Sequence, residues 1–121
     1  MSITRAATMD DDILLEGGHC RSDLQPGDRL SLTQIDELLI RLPDWRLVGT
    51  DAIEREFSFP SYPATMLFVN SLAWLAEREN HHPDLTVGYR QVKVRFSTHS
   101  LAGLSHNDFI CAAKIDALAR I

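Results

Sequence analysis

The sequence is poor in the features that mark several common classes of protein. Only two of its 121 residues are cysteines, Cys20 and Cys111, and neither belongs to a C-x-x-C pair. Their wide separation in the chain predicts neither a disulfide framework nor a zinc knuckle, so reduced thiols are the expected state. No stretch approaches the ~20 apolar residues that a membrane-spanning helix needs. Repeats and low-complexity tracts are absent as well.

Positive charge is also scarce. The chain has 12 Lys and Arg against 17 Asp and Glu, a formal net charge of −5. Binding to nucleic acid usually needs clustered Lys and Arg, whereas Arg90, Lys93 and Arg95 are spread along one strand-like stretch. We therefore expect no nucleic-acid partner. The acidic start and the short apolar run at 13–15 do not predict a signal peptide, so we expect a soluble, cytoplasmic protein without membrane association.

Length and composition predict one globular domain preceded by an arm. An apolar share of 45% with 24% charged residues is typical of a soluble protein with a sizeable core. Residues 1–30 are polar, are punctuated by Gly17-Gly18 and Pro26-Gly27, and have no sustained period. We expect them to form a flexible N-terminal arm. The folded domain would then span residues 31–121.

Periodicity predicts the elements of that domain. Apolar residues at helical spacing predict helices over 31–42 and 62–80, and the second of these would carry His81 and His82 in its last turn before Pro83. Alternating patterns predict strands over 45–48, 53–59, 85–89 and 92–98. A capping box of Ser105 and Asp108 predicts the final helix, which would continue to Leu118.

The order of these elements is α-β-β-α-β-β-α. It favours an α+β fold with a four-stranded antiparallel sheet that is covered by helices on one face. In the strand over 53–59, Ile53, Arg55 and Phe57 would share the buried face, whereas Glu54 and Glu56 would face the other way.

Histidines are concentrated in one region. Four of the five lie within residues 77–108, where His81-His82-Pro83 ends a predicted helix and His99 ends a predicted strand. Histidine has an unperturbed pKa of about 6.5, so it can give and take a proton near neutral pH. Asp108 follows nine residues after His99. This arrangement predicts an acid/base site.

Simpler interpretations exist for each of these residues. A histidine at a helix C-terminus is stabilised by the helix dipole, by ~0.3–1 kcal/mol, and Asp108 has a capping role through Ser105. Glu77 lies one helical turn before His81, where it would form a surface contact or orient the imidazole. Three histidines could also hold zinc. Adjacent histidines suit a metal less well than the i,i+3 or i,i+4 spacing of helical ligands.

The motif E-x3-H-H-P at 77–83 resembles the pterin-4a-carbinolamine dehydratase family. Tyr89, Thr98-His99, Gly103-Leu104 and Asp108 follow in the same register, and L-P-D-W at 42–45 is similar too. The likeness covers residues 31 to 118. Arg90, where the family often has Asn, and Ser100, where an acidic residue is common, depart from the pattern at the turn and at the rim of the site.

The resemblance implies an enzyme that removes water from a 4a-hydroxytetrahydropterin to give a quinonoid dihydropterin, without a cofactor or metal. His81 and His99 would be the acid/base pair, and His82 would contact the pterin. The supporting residues would be Glu77 and Asp108, which orient the imidazoles, and Pro83 and Trp45, which shape the pocket. The family also implies a homodimer or homotetramer.

Two alternatives remain open. The chain could use the same fold as a non-catalytic binding or assembly module, which would be a different class of function. It could also keep the chemistry and act on another pterin, such as a molybdopterin-type molecule. The three histidines favour catalysis over the first alternative, and the sequence does not decide the second.

Overall fold

A computed structural model describes residues 15–120 of the chain. The α-helices are α1 (Leu32–Arg41), α2 (Tyr62–Glu79) and α3 (His106–Ala119), and the strands are β1 (Arg46–Val48), β2 (Ala52–Ser58), β3 (Asp84–Val87) and β4 (Gln91–Phe96). Short 3-10 helices span Pro26–Asp28 and His99–Leu101, and residues 15–17 are helical. Within residues 15–120, no helix is long and apolar enough to cross a bilayer.

The four strands form one antiparallel sheet in the order β1-β2-β4-β3. Along β4, Val92, Val94 and Phe96 are fully buried, while Arg95 between them is exposed. Because successive side chains of a strand point to opposite faces, this pattern places one face of the sheet against the core. Phe68 and Leu72 of α2 and Phe109 and Ile115 of α3 belong to the same core cluster. The expected α+β fold is confirmed.

The end of α2 differs from the prediction. Asn80 adopts a left-handed conformation with φ 51° and ends the helix. The N–H groups of Asn80 and His81 donate to the carbonyls of Glu77 and Ala76, which is the pattern of a Schellman cap. The expectation that His81 and His82 lie in the last helical turn is therefore wrong. Both histidines follow the turn at Asn80, so helical geometry does not set the directions of their side chains.

Residues 15–30 pack against the domain, in contrast to the expected flexible arm. Leu15 and Leu30 are buried in the core cluster, and the Leu30 N–H donates to the Leu104 carbonyl at 2.8 Å. The contacts depend on single anchor residues and on main-chain hydrogen bonds, which leave no periodic pattern in the sequence. The expectation for residues 1–14 lies outside the described residues.

Glu54 is a third departure from the sequence pattern, because its side chain is buried on the polar face of the sheet. It is only 3% exposed, since Arg46 from β1 and Arg95 from β4 both donate to its carboxylate. The hydrogen bond from Arg46, together with Arg95, holds the pKa of Glu54 below its ordinary value of 4.5. The two arginines thus link three strands through one carboxylate.

We predict that Glu54→Gln lowers the free energy of unfolding at pH 7 by about 1–3 kcal/mol, because two charge-assisted interactions are weakened. A carboxylate with a lowered pKa in the folded state stabilises the protein fully above its ordinary pKa, and this stabilisation is lost as the pH falls through the folded value. The difference between parent and variant should therefore shrink below about pH 4. Urea unfolding at pH 7 and pH 3.5 checks this.

Glu56→Gln is the matched control, since Glu56 lies on the same face of β2 and is exposed. It should cost little at either pH. An equal loss for both variants, or a Glu54→Gln effect that does not depend on pH, would contradict the role given to Glu54.

Candidate active site

All three predicted histidines lie around one cavity of about 430 Å³. His81 and His82 reach it from the turn after α2, and His99 reaches it from the end of β4. Thr98 and Asn107 also line it, and the N-terminal segment contributes Arg21, Ser22 and Leu24. The structure therefore brings together side chains from segments that are far apart in the sequence.

His81 is held by a buried carboxylate. Its Nε2 lies 2.6 Å from Oδ1 of Asp108, and Asp108 is completely buried. The second carboxylate oxygen accepts hydrogen bonds from the Thr98 hydroxyl at 2.8 Å and from the Ser105 N–H at 3.0 Å. Asp108 thus completes the capping box of α3 and binds His81 at the same time. Both interpretations of this residue apply together.

The plane of the His81 imidazole is fixed as well. The ring stacks on Phe96 with its centroid 5.7 Å away and an angle of 7° between the planes. Only 12% of the side chain is exposed. Because Nε2 is bound to Asp108, Nδ1 is the ring nitrogen left for another contact, and it makes no hydrogen bond within residues 15–120. A histidine fixed in this way is oriented before any ligand binds.

His82 has the partner that was expected for His81. Its Nε2 lies 3.0 Å from Oε1 of Glu77, and both side chains are more than half exposed. The predicted pairing of Glu77 with His81 is wrong, because the turn at Asn80 carries the chain back so that His82 lies over Glu77. Exposed pairs of this kind are typically worth less than about 1 kcal/mol. Glu77 therefore orients His82 only weakly.

His99 is exposed at the start of the 3-10 helix. The loop that carries it is closed by a pair of main-chain hydrogen bonds between Thr98 and Gly103. A Cβ atom at Gly103 would lie 2.5 Å from Nε of Arg29, so a larger residue at this position would displace the Arg29 side chain. The side chain of His99 makes no hydrogen bond within the described part of the chain, which leaves it available to a ligand.

Trp45 and Pro83 do not line the cavity. Trp45 is buried in the core at 4% exposure, its ring centroid is 6.1 Å from that of Phe96, and its indole N–H donates to Asp116. The expectation that Trp45 shapes the pocket is wrong, because Trp45 packs in the core against Phe96, the ring on which His81 stacks. Pro83 is half-buried beside His82.

The N-terminal segment contributes to the site in a way that the sequence pattern did not predict. We call residues 19–24 the strap. Asn107, which is 4% exposed, accepts from the Arg21 N–H at 2.9 Å and donates to the Arg21 carbonyl at 2.8 Å. Glu79 accepts from the Cys20 N–H at 2.7 Å and lies 3.0 Å from the His19 ring. These anchors at the ends of α2 and α3 hold the strap against the cavity.

The described residues contain no group of three or more His, Cys, Asp or Glu side chains placed to hold a metal ion. What they do contain is a histidine bound to a buried carboxylate, with two further histidines around the same cavity. The fold and this site together define a small α+β domain with a candidate acid/base centre.

The family model for pterin 4 alpha carbinolamine dehydratase matches residues 28–118. A relative from Nitrosospira multiformis, which carries the provisional name pterin-4-alpha-carbinolamine dehydratase, is 46% identical over 114 residues, covering 94% of this chain and 97% of its own. The chain belongs to the pterin-4-alpha-carbinolamine dehydratase family. The resemblance found in the sequence is confirmed at that level.

Solved structures show the same fold. A Brucella melitensis protein described as a transcriptional coactivator/pterin dehydratase aligns with a TM-score of 0.73 at 35% identity, over 75% of this chain and 98% of that one. A pterin dehydratase-like protein identified as a RuBisCO assembly factor in the alpha-carboxysome aligns with a TM-score of 0.56 at 31% identity, over 63% and 89% of the two chains.

We predict that Asn107→Ala releases the strap. Two partly buried hydrogen bonds to the main chain of Arg21 are lost, and this should cost about 1–3 kcal/mol of stability. Limited trypsin digestion should then cleave after Arg21 several times faster than in the parent. Asn70→Ala, the same change on the exposed surface of α2, is the control. Equal cleavage rates in both variants would show that Asn107 does not hold the strap.

Proposed function

We propose that the protein removes water from a 4a-hydroxytetrahydropterin to give a quinonoid dihydropterin. The observation that carries this proposal is the buried Asp108–His81 pair, at 2.6 Å, in the same cavity as His82 and His99. Membership of the dehydratase family supports the choice of substrate class.

The reaction needs two proton transfers and no electron transfer. The lone pair on N5 of the pterin expels the 4a hydroxyl, which must gain a proton to leave as water. N5–H then loses its proton. Both steps favour a group whose pKa is close to the ambient pH, and one positioned acid or base contributes ~10²–10⁴-fold to the rate.

His81 is suited to one of these transfers. Asp108 accepts from Nε2, so Nδ1 is the nitrogen that would exchange a proton with the substrate. The carboxylate also stabilises the imidazolium that forms when Nδ1 takes a proton. In other acid/base sites, a buried carboxylate orients the catalytic histidine in the same way. Stacking on Phe96 also restricts rotation of the His81 ring.

His99 would perform the other transfer from the opposite side of C4a. Its side chain is exposed at the cavity and is not committed to a partner within residues 15–120. His82, which is weakly held by Glu77, would contact the pterin ring and contribute to binding. A cavity of about 430 Å³ lies within the range of small-molecule sites. The protein's own side chains thus supply both proton transfers, and a cofactor is not part of the proposal.

Self-association belongs to the same proposal. Leu67 and Trp74 lie seven residues apart on α2 and are 69% and 68% exposed. Because residues seven apart share one side of a helix, these two apolar side chains form an exposed pair on one side of α2. A homodimer or homotetramer that covers this pair would agree with the family resemblance.

A non-catalytic role is the alternative. The names of the two solved structures, a coactivator/dehydratase and a RuBisCO assembly factor, associate the fold with assembly as well as with catalysis. A binding module needs no oriented histidine inside a cavity. The pairing of His81 with a completely buried carboxylate therefore favours the dehydratase.

We predict different kinetic effects for the three histidines. His81→Ala and His99→Ala should each lower kcat by roughly ten- to a thousandfold, which is less than the full contribution of an acid or base because the remaining histidine partly replaces the lost one. Pterin binding should survive both changes. His82→Ala should raise KM at least as much as it lowers kcat, because it removes contacts that are present in the ground state. The assay follows the decay of a synthetic 4a-hydroxytetrahydropterin, with correction for its spontaneous dehydration.

His106→Ala is the matched control, since His106 is exposed at the start of α3 and does not line the cavity. It should leave both constants unchanged. If all three cavity variants fold and turn over the substrate at the parent's rate, the site is not catalytic and the binding module is the better account.

A further inference from the structure

The two cysteines, 91 positions apart in the chain, have their sulfur atoms 3.4 Å from each other. Cys111 lies on α3 and is completely buried, whereas Cys20 lies on the strap and is half-buried. The Cys20 thiol also donates to the Asn107 carbonyl at 3.6 Å. Both thiols are free, and the proposed dehydration uses neither of them.

We propose that Cys20 and Cys111 form a redox modification site, in which an intramolecular disulfide ties the strap to α3. A disulfide has an S–S distance of about 2.05 Å, so the sulfur atoms must approach by about 1.3 Å from their present separation. The main chain of Cys20 is bound to Glu79 and that of Arg21 to Asn107. These bonds hold the thiols in contact before oxidation.

A peroxide is the class of oxidant that the step requires. The Cys20 thiol loses its proton, the thiolate attacks one peroxide oxygen, and the O–O bond breaks. The other oxygen leaves as hydroxide, which takes up the released proton and becomes water. Cys20 is then a sulfenic acid, oxidised by two electrons. The Cys111 sulfur attacks the Cys20 sulfur, the S–OH bond breaks, and the hydroxide leaves as water with the Cys111 proton. Two thiols and one hydrogen peroxide thus give one disulfide and two waters.

The surroundings decide the order and the speed of these steps. The hydrogen bond with Cys20 and burial raise the pKa of Cys111, with further contributions from Glu79 and Asp108. A buried thiol of this kind is unreactive towards external oxidants. Cys20, which is partly accessible, is therefore attacked first, and Cys111 resolves the product. The pair should oxidise slowly and return to two thiols under reducing agents.

The disulfide would affect the strap directly. Cys20 precedes Arg21, which lines the cavity, so the bond would fix one wall of the site to the helix that also carries Asp108. The disulfide would close a loop that contains most of the chain. In the chain-entropy account, a disulfide stabilises the folded state more when the loop that it closes is longer. Oxidation should raise Tm by roughly 10 °C.

The test uses the purified full-length protein and hydrogen peroxide near one equivalent under native conditions. The intact mass should fall by about 2 Da, which is the loss of two hydrogens in one disulfide. A non-reducing digest should then contain one linked pair of peptides that carries Cys20 and Cys111. After trypsin cleaves at Arg21, the N-terminal fragment should stay attached until the sample is reduced.

Cys20→Ser is the control, because it keeps the shape of the half-buried side chain and leaves Cys111 in place. It should show neither the mass loss nor the rise in Tm. The proposal is overturned if the parent retains two free thiols after treatment. It is also overturned if each thiol gains oxygen separately, or if the only disulfides join different molecules. These readouts do not depend on dehydratase activity, so they are decided independently of the proposed function.

Discussion

The buried carboxylate of Asp108 is the constraint on which the site depends. One of its oxygens binds the imidazole of His81, and the other binds the Thr98 hydroxyl and the Ser105 N–H at the start of α3. A buried carboxylate is costly unless it is hydrogen-bonded, and here three donors satisfy it. The same bonds join the turn after α2, the end of β4 and the first turn of α3. A change that removes Asp108 would therefore affect the packing and the site together.

Three nearby residues in the first turns of α3 each make a different contact. Asn107 binds the main chain of the strap, Asp108 binds His81, and Cys111 contacts Cys20 about one helical turn later. The strap and the histidine are thus positioned by the same short segment. This coupling explains how residues before position 28, where the family match begins, can form part of the cavity wall.

Much of the fold could be predicted because its signals are local. Apolar spacing placed α1 and α2, alternation placed the strands, and the S-x-x-D motif placed the start of α3. The details of the site are set by tertiary contacts and were harder to predict. The left-handed turn at Asn80 places His82 next to Glu77, and hydrogen bonds from two arginines allow the Glu54 carboxylate to be buried. The strap is held by a few hydrogen bonds to residues far away in the chain, and the two cysteines meet only in the folded chain, so neither feature has a sequence period.

The tautomer of His81 tests this account most directly. If Asp108 accepts from Nε2, neutral His81 carries its proton on Nε2 and leaves Nδ1 unprotonated for the substrate. The ¹⁵N chemical shifts of the ring, measured by NMR on histidine-labelled protein at a pH where the ring is neutral, distinguish the two tautomers. We predict the Nε2–H form for His81. A neutral ring with the proton on Nδ1 would contradict the orientation by Asp108 and the proton-transfer role that follows from it.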